Sequence, residues 1–158
     1  MKTIVISLGG SILFPEIEKN RIRQYVPVLK KIAGRHRLFV VVGGGGEARR
    51  YIEAARAISI DEGTSDEIGI LLTRLNAAML GAAMGDAAYP DVAESHAEAK
   101  KYAGQGKCVI MGGITPGQTT DAVAAVLAEQ VHADVFVNVT SVDGIYSADP
   151  KKDKHAVR

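Results

Sequence analysis

Near-continuous apolar runs alternate along this chain with stretches whose apolar residues recur every three or four positions. The runs are Ile4-Val5-Ile6 with Leu8, Leu38 to Val42, Cys108 to Met111, and Ala133 to Val139. Strands buried on both faces read this way, so the runs predict a parallel sheet covered on both sides. The periodic stretches predict helices. The first covers Glu16 to Ala33, with Ile22, Tyr25, Val26, Leu29 and Ile32 inward and Gly34 as the C′ residue. The second runs from Glu47 to about Arg56, on Tyr51, Ile52 and Ala55. A third enters at Thr64-Ser65-Asp66-Glu67, with Thr64 or Ser65 as N-cap, and reaches about Met84. Its stripe of Ile68, Leu71, Leu72, Leu75 and Met79 must pack on the sheet or on another subunit. Val92 to Ala103 and Ala122 to Val131 complete the set, the latter on Val123, Val126, Leu127 and Val131. Ala88-Tyr89-Pro90 is weakly extended and predicts a short strand, which makes Ala133 to Val139 the fifth. Asp143-Gly144 is a turn signal, from which Ile145-Tyr146 can begin a short hairpin return.

Alternating strands and helices imply an α/β fold with right-handed crossovers, hence a three-layer αβα sandwich around a mostly parallel sheet. At 158 residues the chain fits one domain with a sizeable core. Its 47% hydrophobic and 23% charged residues are those of a folded globular protein. A formal net charge of +1 argues against nucleic acid or a membrane surface as the main partner. Cys108 is the only cysteine, so no disulfide framework or cysteine metal cluster exists, and the usage is cytosolic. Cys108 reads as a small buried hydrophobe. Gly9, Gly10 and Ser11 interrupt the N-terminal apolar run, which excludes a signal peptide, and no other run is expected to cross a bilayer. His36, His96, His132 and His155 have no metal-ligand partner at suitable spacing and read as solvated surface residues.

Four turns change the picture from fold to chemistry. Gly9-Gly10-Ser11, Gly43 to Gly46, Met111 to Asp121 and Thr140 to Asp149 each follow a predicted strand. Ligands of open α/β sheets bind beyond the carboxyl ends of the strands, so the turns are expected to converge on one edge. Met111-Gly112-Gly113-Ile114-Thr115-Pro116-Gly117-Gln118-Thr119-Thr120-Asp121 leads from a strand into a helix. Its glycines leave backbone N–H groups open, and a helix N-terminus with Thr119 and Thr120 at the cap is a ready anion site. The alternative is an ordinary βα turn. The four contiguous glycines match neither a G-x-G-x-x-G fingerprint nor a Walker A loop. Several N–H-rich turns on one edge suit two phosphate-bearing ligands, which points to phosphoryl transfer. No Ser-His-Asp set, Cys-His pair or HExxH helix is present. That fits an acceptor that is itself a phosphate, whose oxygen is anionic without a base.

These residues carry a resemblance. Leu8-Gly9-Gly10-Ser11, Val41 to Gly45 with Ala48-Arg49, Thr73-Arg74-Leu75-Asn76-Ala77, Met111 to Ala125 and Thr140 to Pro150 make the chain similar to archaeal-type uridylate kinases of the amino acid kinase superfamily. The match covers essentially the whole chain, and its last two stretches are the specific ones. The resemblance implies that Gly9, Gly10, Gly45 and Arg49 contact ATP phosphates, and that Thr140, Ser141, Tyr146 and Asp149 line the ATP site. It implies that Gly44 and Asp66 contact UMP, the carboxylate accepting from ribose hydroxyls. Ile114, Thr115, Pro116, Gly117, Gln118, Thr119 and Thr120 would wrap the UMP base and phosphate. Asp121 is the candidate catalytic residue, read as a positioning acid first. The implied reaction is ATP plus UMP giving ADP plus UDP, with Mg²⁺ on the donor phosphates and no dedicated metal site, in a cytoplasmic homo-oligomer built as a hexamer from dimers.

Two departures stand out. Many superfamily members carry a lysine in the first strand's turn where this chain has Ser7, which leaves Arg49, Lys151 and Lys152 as candidate cations. The family also continues well past the positions matching Asp149-Pro150, with segments that complete the adenine pocket. The expectation is that residues 1–158 bind the acceptor better than the donor. Another superfamily kinase, acting on a carboxylate, carbamate or isoprenoid phosphate, is the rival within the class. A non-catalytic uridine-nucleotide-binding module is the rival outside it.

Overall fold

The computed structural model describes residues 1–142, 144, 146–148, 153 and 155–157. The first apolar run forms β1 (Thr3–Leu8), and the others form β2 (Arg37–Val42), β3 (Val109–Met111) and β4 (Val135–Val139). They pair in the order β3-β2-β1-β4, every neighbour parallel. The chain therefore moves outward from β1 through β2 to β3 and then returns to the far side of β1. That reversal opens a crevice at the carboxyl ends of β1 and β4.

Strand periodicity decides which layer each side chain joins. Ile6 and Leu8, with Leu38, Val40, Val42 and Ile110, face one core with Leu13, Leu29, Leu80 and Met84. These come from α1 (Gly10–Leu13), α2 (Ile22–Ala33) and α4 (Glu62–Met84). Val5, Phe39, Val41, Val109 and Met111 face the other core with Ala99, Val123 and Leu127 of α5 (His96–Tyr102) and α6 (Thr120–Gln130). The remaining helix, α3 (Gly45–Ala57), packs on α4 and α1. The layers are helix, parallel sheet and helix. Cys108 lies in the first core, where burial pushes its thiol up to about 12; an un-ionised thiol is a packing residue.

Several expectations need correction. The first long helix begins at Ile22 rather than Glu16. Ile17 is exposed, so no apolar contact holds an extra turn there. Gly34 caps α2 in the right-handed conformation, φ −68°, not as a left-handed C′ residue. The N-cap of α4 is Asp61, whose side chain accepts from Thr64 N–H, and not Thr64 or Ser65. α5 starts at His96 after an N-cap at Ser95, four residues later than Val92. Ala88 makes only an isolated bridge to Cys108, so Val135–Val139 is the fourth strand of the described sheet. The hairpin return at Asp143 to Tyr146 falls partly on residues outside those described.

The largest correction concerns α4. Its buried face is Ser65, Gly69, Thr73, Ala77, Leu80 and Met84, mostly small or hydroxyl-bearing side chains. Of the expected stripe, Ile68 and Leu72 are half-buried, whereas Leu71 is 60% exposed, Leu75 56% and Met79 39%, so these three do not pack on the sheet. Small inner residues let α4 approach α3 closely, with Ile52 Cδ1 against Gly69. By length and composition α4 is also apolar enough to cross a bilayer, with a mean hydropathy of 1.4, which the sequence reading missed. Its inner face packs on β2 and β3 and bonds to two turns of the same sheet edge.

Candidate active site

Backbone bonds bring the strand-end turns together. Gly9 N–H donates to Val139 O at 3.0 Å, and Gly43 N–H donates to Leu8 O at 3.0 Å. A Cβ at Gly10 would overlap the Gly43 carbonyl oxygen and the Gly45 amide nitrogen, so the first two glycine turns touch backbone to backbone. Gly45 sits at φ +70°, a left-handed conformation that lets α3 begin at once after the turn. A Cβ at Gly43 would lie 3.3 Å from Thr120 Oγ1, which puts the start of α6 against the same turn.

The acceptor-type loop is fixed at both ends. Thr119 caps α6, its hydroxyl accepting from Ala122 N–H at 3.1 Å. Gly113 N–H donates to Thr73 Oγ1 at 2.6 Å, and Arg74 Nε donates to Gly113 O at 3.2 Å. Arg74 is held in turn by Glu94, Nη1 to Oε2 at 2.7 Å. Gly117 N–H donates to Asp66 Oδ2 at 2.7 Å, so the loop's tip is latched to the first turns of α4. On the far side, Ser7 Oγ donates to Asp121 Oδ1 at 2.6 Å, linking β1 to α6.

Together these elements enclose a cleft of about 520 Å³, the scale of a nucleotide-sized ligand site. Gly9, Gly10, Gly44 and Gly45 line it, as do Arg49 and Asp66. Thr115, Pro116, Gly117, Gln118, Thr119, Thr120 and Asp121 form the opposite wall, and Thr140 closes it at the end of β4. Ile114 is not among the lining residues; it packs into the core beside α6. Ser141 and Tyr146 do not line the cleft either, and Asp149, Lys151 and Lys152 lie outside the described residues. Of the candidate cations, Arg49 is therefore the one seen at the cleft.

Ser11, Gly43 and Gly113, within the expected turns, also line it, as do Ala48, Ile52, Gly69, Ile70 and Thr73, to which sequence reasoning gave no ligand role. Thr73 carried a legible signal, standing four positions after Gly69 and seven after Asp66 on one helical face. His96, expected in solvent, is partly buried, with Nε2 3.0 Å from Val123 O across the second core. Among the described residues no three His, Cys, Asp or Glu side chains gather as a metal site.

Comparison with known proteins gives relatives of this chain. The uridylate kinase of Methanoregula boonei is 76% identical over 151 residues, covering 96% of this chain and 64% of that protein. That of Methanoculleus marisnigri is 65% identical over 158 residues, covering 100% of this chain and 68% of that protein. The crystal structure of uridylate kinase from Archaeoglobus fulgidus superposes with a TM-score of 0.87 at 48% identity, over 100% of this chain and 72% of that one. The chain thus spans about two thirds of the length of these curated relatives. A model of the amino acid kinase family matches residues 2–158, and the chain belongs to that family.

Proposed function

We propose that this chain carries the acceptor site, and the phosphate-binding part of the donor site, of a UMP kinase that forms UDP and ADP from UMP and ATP. The observation that supports this most is the meeting of two glycine turns, the Thr115–Asp121 wall and the Asp66 carboxylate in one cleft. Gly9, Gly10, Gly45, Arg49 and Thr140 take the donor phosphates. Ser141, Tyr146 and Asp149 join the donor side on the strength of the family resemblance. Gly44, Asp66 and the residues from Thr115 to Thr120 take UMP, with Asp66 accepting from ribose hydroxyls.

The chemistry then asks little of the protein beyond position and charge. A phosphate oxygen of UMP bonds to the γ-phosphorus as the bond to the β–γ bridging oxygen breaks, and ADP leaves with that electron pair. The attacking oxygen is already anionic, so no residue removes a proton from it. Repulsion between anions is the obstacle, and N–H donors with Arg49 offset it. Asp121, held by Ser7, positions the donor side rather than acting as a base.

Mg²⁺ fits this cleft as the ion of ATP. The described lining carboxylates are Asp66, engaged by Gly117, and Asp121, too few for an all-protein cage. Mg²⁺ usually takes one or two carboxylates, waters and substrate phosphates, and when bound it neutralises charge on the donor phosphates. Asp121 would hold one of its waters.

Residues 1–158 form one domain in this reading, and the protein is a cytoplasmic homo-oligomer, a hexamer built from dimers, working in pyrimidine nucleotide synthesis. The exposed stripe of Leu71, Leu75 and Met79 supplies a subunit contact. Calorimetric titration with UMP, CMP, AMP and GMP tests the reading. UMP is expected to bind at one site per chain and purine monophosphates at least tenfold more weakly. Equal binding of AMP, or none of UMP, refutes it.

A further inference from the structure

Two side chains of α4, one helical turn apart, bond to the two turns that form opposite sides of the cleft. Asn76 Nδ2 donates to the carbonyl oxygens of Gly43, at 2.9 Å, and Gly44, at 3.2 Å. Thr73 Oγ1 accepts from Gly113 N–H at 2.6 Å and donates to Ile70 O at 2.6 Å, so its one proton is used and its rotamer is set. The first pair holds the turn between β2 and α3, and the second holds the turn between β3 and α6. Contact with Thr73 is tight on both sides. A Cβ at Gly112 would fall 2.6 Å from Thr73 Oγ1, and one at Gly44 would fall 3.4 Å from Thr73 Cγ2.

We propose that Thr73 and Asn76 are positioning residues that fix the distance between the donor and acceptor phosphates. This rests on the functional reading above. Both turns end strands of one sheet, but each leaves its strand by a glycine pair with little stiffness of its own. A rigid helix bonded to both converts two separately mobile turns into one unit. Asn76 acts through the Gly43 and Gly44 carbonyls: a single amide nitrogen occupies both oxygens, which otherwise add negative dipole beside an anion site. Thr73 acts through Gly113, the last fixed point before the acceptor loop. In-line transfer is sensitive to displacements of about 1 Å, so the spacing of the two turns matters more than the strength of either site.

The test compares a ligand that spans both sites with one that fills a single site. The probes are uridine joined to adenosine by five phosphates, and UMP. The variants are Thr73→Val, which keeps shape and loses both bonds, Thr73→Ser, which keeps the hydroxyl, and Asn76→Ser, which shortens the donor. Folding is checked by circular dichroism and melting. In Thr73→Val and Asn76→Ser, affinity for the spanning ligand is expected to fall at least tenfold further than affinity for UMP does; Thr73→Ser restores the spanning ligand. Equal losses for both ligands mean a purely structural role and overturn the proposal, as does an unchanged spanning affinity. Should Thr73→Val fail to fold, Asn76→Ser decides alone. Failure of the unsubstituted chain to bind UMP overturns the functional reading, and this proposal with it; binding of UMP with equal losses overturns this proposal only.

Discussion

Ser7 and Asp121, 114 positions apart in the sequence, meet through a hydrogen bond of 2.6 Å from Ser7 Oγ to Asp121 Oδ1. Ser7 is 1% exposed at the carboxyl end of β1, and Asp121 stands in the first turn of α6. The hydroxyl holds the carboxylate by a donated bond. Ser7→Ala and Asp121→Ala should each destabilise the chain, and the double variant should cost about 1 kcal/mol less than their sum, the coupling of one hydrogen bond. Chemical denaturation of the four proteins checks this. Additive losses contradict it.

Asp66 has two tasks in the proposed site. It accepts from Gly117 N–H at 2.7 Å, and it faces the cleft where the ribose is placed. Asp66→Ala should weaken UMP about ten- to hundredfold, as expected for a bond to a charged acceptor worth about 1.5–3 kcal/mol. Hydrogen exchange at Gly117 should rise in the same variant, since its amide loses its acceptor. Unchanged calorimetric affinity for UMP reduces Asp66 to a loop latch.

The outward stripe of α4 predicts association. Burying Leu71 and Leu75, 60% and 56% exposed in the lone chain, is worth about 1.5–3 kcal/mol for each fully buried side chain. Light scattering at micromolar concentration should give a dimer or larger. Leu71→Glu combined with Leu75→Glu should give a folded monomer. A monomeric unsubstituted chain contradicts this account of the stripe.

Acid should act on the start of α4. Bonds from the Thr64 N–H, at 3.0 Å, and hydroxyl, at 2.8 Å, hold the Asp61 carboxyl below the usual carboxylate range. A carboxyl depressed in the folded state adds stability above its unfolded value and loses it as pH falls through the folded one. Asp61→Ala should therefore lower the melting temperature at neutral pH, with the gap to the unsubstituted protein shrinking below about pH 4. A gap independent of pH contradicts the charged cap.

The strands and the glycine turns were legible because both are local signals. Leu38 to Val42 is apolar throughout and ends at Gly43, which states a buried strand and its exit in six residues. The orientation of α4 was not legible. Periodicity reports that one face is more apolar, but does not say whether that face packs on the sheet or on another subunit. The structure buries Gly69, Thr73 and Ala77 instead, because the site needs close backbone approach and hydroxyl contacts there. The bonds of Ser7, Asn76 and His96 were equally hidden. Each joins segments more than twenty positions apart, and nothing in local spacing pairs them. Thr73 and Asn76 stood in a family-like segment, but only their partners reveal a task.

The most direct test places the acceptor on the structure. Amide resonances of the chain, followed by nitrogen–hydrogen correlation spectra during titration with UMP, report which backbone groups meet the ligand. The account predicts that Gly44, Gly45, Gly113 and Gly117 to Asp121 shift together and saturate at one UMP per chain, and that Asp66→Ala suppresses the response. Shifts confined to residues away from the cleft, such as Tyr89 and Lys107 on the β3 side, would contradict it.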